Sequence, residues 1–183
     1  MKLLIAVTGA SGIPLSVRLL ETLGILNIER HLAVSNHAKD VQKYEQNEEI
    51  IWENLCEKYY SEEEIYASVC SGSYKIDGMI ILPCSMNTLG HIANGIENSL
   101  ITRAAAVNIK QERPVILVPR ETPLSLIHIE NMKKAKMAGC TILIPTVAFY
   151  FSPKTINDII NHIIGKILEI LNISHNLYKT WEN

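Results

Sequence analysis

Arg120 and Glu121 stand side by side between two prolines, in VPRETP, directly after the apolar run Val115 to Val118. A guanidinium and a carboxylate at the end of a buried strand suit anion binding and proton transfer better than a structural ion pair. LPCSMNT puts Ser85, Asn87 and Thr88 where another apolar run ends and a helix would begin. Three hydrogen-bonding side chains and the open N–H groups of a helix start make an oxyanion site, whereas capping uses only one of the three. TGASG, residues 8–12, is a glycine-rich turn that aims N–H groups and a helix dipole at an anion. It is neither G-x-G-x-x-G nor a P-loop, so by itself it fits a phosphate cradle and a plain tight turn equally. Ser11 in that turn can donate to a phosphate or cap the helix, and Ser35 or Asn36 can cap a helix starting at 37.

Other candidates lie on helices. Arg103 and Lys110, seven residues apart, share a helix face beside the apolar stripe Leu100, Ala104 and Val107, where they suit either a phosphate or a solvated edge. Lys166 borders the stripe Ile156, Ile159, Ile160, Ile163, Ile167 and Leu171 of an amphipathic helix. His128 reads as a core or capping histidine, and Cys84 as a small buried residue rather than a nucleophile.

The elements that must position these residues alternate. Apolar runs at 3–7, 31–34, 79–82, 115–118 and 141–144 are separated by helical patterns at 13–24, 37–59, 85–95, 99–111, 125–139 and 155–171. That order predicts an α/β, Rossmann-like (flavodoxin-like) three-layer sandwich with a parallel sheet, in a single domain over 1–183. In such sheets ligands sit outside the carboxyl ends of the strands. That rule selects the turns TGASG, VSNHA, LPCSMNT, VPRETPLS and IPTVAFY, where most of the polar candidates already lie.

With 183 residues, 48% hydrophobic and 20% charged, the chain can bury one sizeable core. A formal net charge of −2 without a long basic run argues against nucleic acid. No apolar stretch is long enough to span a bilayer. The four cysteines form no C-x-x-C pair, which points to neither a disulfide framework nor a zinc site, and to the cytoplasm.

Taken together, TGASG, LPCSMNTLGHIANGI, LITRAA, ERPVILVPRETPLSLIHIENM and PTVAFY resemble the UbiX-type flavin prenyltransferases, essentially end to end. The resemblance implies a flavodoxin-like fold that takes reduced FMN and dimethylallyl phosphate. It implies joining of the dimethylallyl group to flavin N5 and C6, release of phosphate, and delivery of prenylated FMN to a UbiD-type decarboxylase. It also implies a homo-oligomer, usually a dodecamer, with sites shared between subunits. By position it assigns Gly9, Ala10 and Ser11, Ser35, Ser85, Met86, Asn87 and Thr88, and Arg120 to the flavin. Ser35 thereby goes to the ligand, leaving the cap to Asn36. Tyr150 and Lys166 match the pair that grips the prenyl phosphate, assisted by Arg103, Lys110 and Arg120. Glu45 and Glu121 fall on acidic positions near the reacting groups, and Trp181 on a C-terminal aromatic. Two positions depart from the pattern: Lys166 stands where many members have arginine, and Tyr66 where some have tryptophan.

The implied chemistry is an allylic displacement in which cationic side chains stabilise the departing phosphate, with no metal required. Glu121 or the phosphate then takes the C6 proton. Two alternatives are a flavin-dependent cysteine decarboxylase of similar fold and a non-catalytic FMN-binding subunit. His37 suits the first, but its PxMNxxMW motif is absent. Retention of a second set of phosphate-binding residues opposes the second.

Overall fold

A computed structural model describes residues 1–46 and 49–179 of the chain; Trp181 lies outside the described residues. Six parallel strands form one sheet in the order β3-β2-β1-β4-β5-β6: β1 Lys2–Val7, β2 Glu29–Val34, β3 Lys58–Ser61, β4 Gly78–Cys84, β5 Val115–Pro119 and β6 Thr141–Ile142. The helices are α1 Ile13–Ile25, α2 Asn36–Glu45, α3 Met86–Ala93, α4 Leu100–Lys110, α5 Leu126–Met137 and α6 Ile156–Ile170. This is the expected Rossmann-like α/β sandwich.

The apolar runs become strands because both faces of the sheet are covered, so alternate residues bury in opposite directions. Leu3, Ile5 and Val7 of β1 pack into one core with Leu19 and Leu20 of α1, Ala38 of α2 and Ile164, Ile167 and Leu168 of α6. Leu4 and Ala6 face the other way, into a core with Leu89 of α3, Leu100 and Ala104 of α4 and Ala135 of α5. Helices α1, α2 and α6 therefore cover one face, and α3, α4 and α5 the other. Ile5 pairs with Leu32 of β2 on one side and Ile80 of β4 on the other. The chain winds outward from β1 through β2 to β3, then returns to start β4, so the strand order reverses between β1 and β4. Ligands enter open sheets of this kind at that point.

Three expectations need correction. The helix expected over 37–59 ends at Glu45, and a 3₁₀ turn, Trp52–Leu55, and strand β3 follow. Trp52 is buried and its indole N–H donates to Gln42 Oε1 at 2.7 Å. Ten residues along one helix would put the two about 15 Å apart, so the chain has to turn back. Beyond it Tyr59 packs toward one core and Tyr60 toward the other, the alternation of a strand, beside the open edge of β2. The run at 141–144 is a strand only over Thr141–Ile142. Ile156 is 76% exposed rather than part of the buried stripe, because it opens α6 at the carboxyl edge of the sheet.

Candidate functional site at the β1–β4 crevice

Thr8, directly after β1, joins the two central turns. Its hydroxyl donates to the Pro83 carbonyl and accepts from the Ser85 N–H, both at 2.8 Å, and Ser16 Oγ donates to the Leu82 carbonyl at 2.7 Å. Gly9 is needed because α2 crosses closely above it: a Cβ there would lie 2.5 Å from His37 Cβ. The TGASG turn thus lies between the start of α2 and the end of β4.

Helix α1 has no side-chain cap from its own N-terminus, and Ser11 does not cap it. Glu45, the last residue of α2, does that work from across the crevice. Its Oε2 accepts from the Gly12 and Ile13 N–H groups, both at 2.9 Å, and Ser11 also hydrogen bonds to it. Burial pushes the Glu45 carboxyl up, but the hydrogen bonds from Ser11, Gly12 and Ile13 and the charge of Arg120 outweigh it and hold it below the ordinary glutamate value. A carboxylate therefore sits where a helix start attracts an anion.

Ser35 caps α2, accepting from the Ala38 N–H at 3.1 Å, and Ser85 caps α3, accepting from Thr88. Asn36, expected as the cap, instead donates its side-chain amide to Glu63 and its backbone N–H to Glu62. The helix begins at Asn36, one residue earlier than expected, so Ser35, with β-region backbone, occupies the capping position and its oxygen reaches the third N–H. A capping hydroxyl still has a proton to donate, so capping and ligand binding by Ser35 or Ser85 are compatible. The first N–H groups of α3, those of Met86 and Asn87, have no carbonyl within the helix to bond. Arg120 is exposed just past β5, its N–H donating to the Cys84 carbonyl at 3.4 Å. Glu121 is exposed beside it and accepts from the Thr122 N–H. Cys84 is fully buried, and burial pushes its thiol far up, away from nucleophilic work. His128 closes a capping box with Ser125 on α5.

The remaining candidates are not gathered here. Arg103, in the first turn of α4, pairs with Glu97 and lines a cavity of about 420 Å³ with Tyr66, Cys70 and Ser71. Lys110 ends the same helix, about 10 Å further along its axis and leading toward the amino edge of β5. Tyr150 and Lys166 belong to the opposite face. Lys166 Nζ lies 2.9 Å from Glu169 Oε2 and 5.2 Å from the Tyr178 ring centre, and Tyr178 itself donates to Glu169. Hydrogen bonds with Tyr178 and Glu169 hold the ammonium above the ordinary lysine value.

Residues 1–174 match the family described as Flavoprotein. A probable UbiX-like flavin prenyltransferase of Sedimentibacter hydroxybenzoicus is 45% identical over 184 residues, covering 100% of this chain and 97% of its own. The chain belongs to the UbiX-type flavin prenyltransferases. AnUbiX (PadA1), solved in complex with FMN and dimethylallyl pyrophosphate, matches this prenyltransferase with a TM-score of 0.97 at 37% identity, over 100% of this chain and 97% of its own. A dodecameric FMN-dependent UbiX-like decarboxylase from Escherichia coli O157:H7 matches at 0.96 and 38%, over the whole of both chains. Thr8, the first residue of TGASG, is a ready cross-link as a threonine ending a buried strand, but glycine spacing and helix-start patterns do not mark it. Around Tyr150 and Lys166, His162, Glu169 and Tyr178 carry no local pattern that marks them in the sequence.

Proposed function

We propose that this UbiX-type flavin prenyltransferase transfers the dimethylallyl group of dimethylallyl phosphate to N5 and C6 of reduced FMN and releases phosphate. The prenylated FMN then passes to a UbiD-type decarboxylase. We assign the whole of residues 1–183 to one flavin-binding domain working in the cytoplasm. The crevice fits the flavin phosphoester by its donor set: the Ser35 hydroxyl, the one hydroxyl proton that the Ser85–Thr88 hydrogen bond leaves over, and the Met86 and Asn87 N–H groups beside Asn87, while Gly9, Ala10 and Ser11 of the TGASG turn line it. Arg120 supplies the cation next to it. Reduced FMN, when bound, supplies the electron-rich N5 and C6.

The observation that carries the reading is the division of cationic groups between the two faces of the sheet. Arg103 and Lys110 stand on α4, Lys166 on α6, and the sheet lies between the helices. One chain cannot close them on one phosphate, but neighbouring copies packed around a crevice can. The apolar surface such packing needs is present: Leu126 and Ile127 of α5, Phe149 and Ile156 are each more than 70% exposed. We therefore assign the protein to a homo-oligomer, a dodecamer like its Escherichia coli relative, with sites built from several subunits. In that site Arg103, Lys110, Arg120 and Lys166 balance the charge that grows on the leaving phosphate, and Tyr150 donates to it. Tyr66 and Trp181 are the aromatic candidates to cover the allylic group. Glu45, held ionised beside Arg120, faces the cationic side of the displacement, and Glu121 takes the C6 proton.

The test mixes an Arg103→Ala chain with a Lys166→Ala chain, each inactive alone. Mixed oligomers are expected to regain part of the activity, read as prenylated FMN by mass analysis. No recovery in verified mixed oligomers would overturn the shared site.

A further inference from the structure

Tyr150 is held by a residue to which no function has been given. Its hydroxyl lies 3.0 Å from Nε2 of His162, on the second turn of α6. His162 is 7% exposed, and aromatic rings fix its plane. Phe151 stacks on it at 4.9 Å and 12°, and Tyr178 meets it edge-on at 4.7 Å. The Tyr150 ring stands at 76° to the imidazole, with ring centres 5.6 Å apart.

A phenol has one proton to give. If Nε2 is bare, that proton goes to the imidazole and Tyr150 offers only lone pairs outward, which repel an anion. If Nε2 carries the proton, the imidazole donates to Oη and the phenol proton turns outward. Burial, followed by the charge of Lys166, holds the imidazole below the ordinary histidine value despite Glu169 nearby, so near neutral pH the ring has a single N–H to place.

We propose that His162 is a positioning residue for the prenyl phosphate: its neutral Nε2–H form donates to Tyr150 Oη and aims the phenol proton at a phosphate oxygen. This rests on the assignment of Tyr150 to the prenyl phosphate made above. Chained donors polarise one another, so the phenol bound to His162 is a better donor than an isolated one.

The experiment measures kcat/KM for dimethylallyl phosphate, FMN affinity and oligomeric state in Tyr150→Phe, His162→Leu, His162→Gln and the Tyr150→Phe/His162→Leu double variant. Tyr150→Phe and His162→Leu are each expected to lose about tenfold in kcat/KM, with FMN affinity and assembly unchanged. His162→Gln, whose amide N–H has the reach of Nε2, keeps most of the activity, and the double variant is no worse than either single one. His162→Asn, whose amide stops short of Tyr150, is expected to match the leucine variant and replaces it if that chain does not assemble. Glutamine no better than leucine or asparagine, or losses that add in the double variant, would overturn the positioning role. Loss in Tyr150→Phe without loss in His162→Leu would also overturn it, while leaving the assignment of Tyr150 intact. An unchanged Tyr150→Phe would remove Tyr150 from the phosphate site, and the proposal with it.

Discussion

Replacing Glu45 by glutamine tests whether a carboxylate holds the start of α1. Glu45 Oε2 accepts from two N–H groups at 2.9 Å, and its other oxygen lies 3.2 Å from the Gly12 N–H. Hydrogen bonds to a charged group contribute about 1.5–3 kcal/mol and neutral ones about 0.5–1.5. Glutamine keeps one neutral acceptor for one N–H and loses the favourable charge at the helix dipole, itself about 0.3–1 kcal/mol. The net loss comes to about 2 kcal/mol, or about 4–8 °C in Tm for a chain of this size. The Glu45 carboxyl is lower in the folded chain than the ordinary glutamate value. Its contribution is therefore complete above about pH 4.3, the unfolded value, and is lost as pH falls through the lower folded value. Urea titrations of both proteins between about pH 7 and pH 3 should show a gap at neutrality that narrows as the pH falls and wild-type Glu45 begins to take up its proton. Equal stability at neutral pH, or a gap that does not narrow in acid, would refute the reasoning.

Thr8→Val keeps the shape of Thr8 but leaves the Ser85 N–H and the Pro83 carbonyl without their partner, which should cost about 2–3 kcal/mol and weaken FMN binding; urea midpoints and flavin titration check both. Glu121→Gln should fold and bind FMN yet form the bond to C6 about a hundredfold more slowly, by rapid mixing with mass analysis; wild-type rates would give the proton to the phosphate. Gly165→Ala should not bring the gain of about 1 kcal/mol that alanine brings inside a helix. Its Cβ would lie 2.5 Å from Tyr178 Cε1 and 2.8 Å from His175 Cε1, so thermal melts should show no rise.

What the sequence made legible was what depends on neighbours in the chain. Strand-to-helix turns such as TGASG and LPCSMNT are local, so the fold and the edge that carries the crevice followed from them. The stretch 37–59 was misread because Trp52 answers to Gln42 across a reversal of the chain, and β3 answers to the open edge of β2. Helical periodicity registers neither. Ser35 and Asn36 are equally good caps, and the choice falls to Ser35 because α2 starts one residue earlier than periodicity suggests. Glu45 came only through family resemblance, and its hold on Gly12 and Ile13 spans more than thirty positions. Arg103 and Lys110 were rightly read as one helix face, but seven residues of spacing contain nothing about which side of a sheet that helix covers.

That placement separates being folded from being able to react. With Arg103 and Lys110 on one side of the sheet and Tyr150 and Lys166 on the other, each chain has a finished interior and, on the proposed assignment, an unfinished reaction chamber. Dilution then silences the chemistry without melting the chain, and specific activity tracks protein concentration while the helical signal stays constant. Each chain also lends tools in two directions, so a minority of damaged chains subtracts more activity from the assembly than its own share.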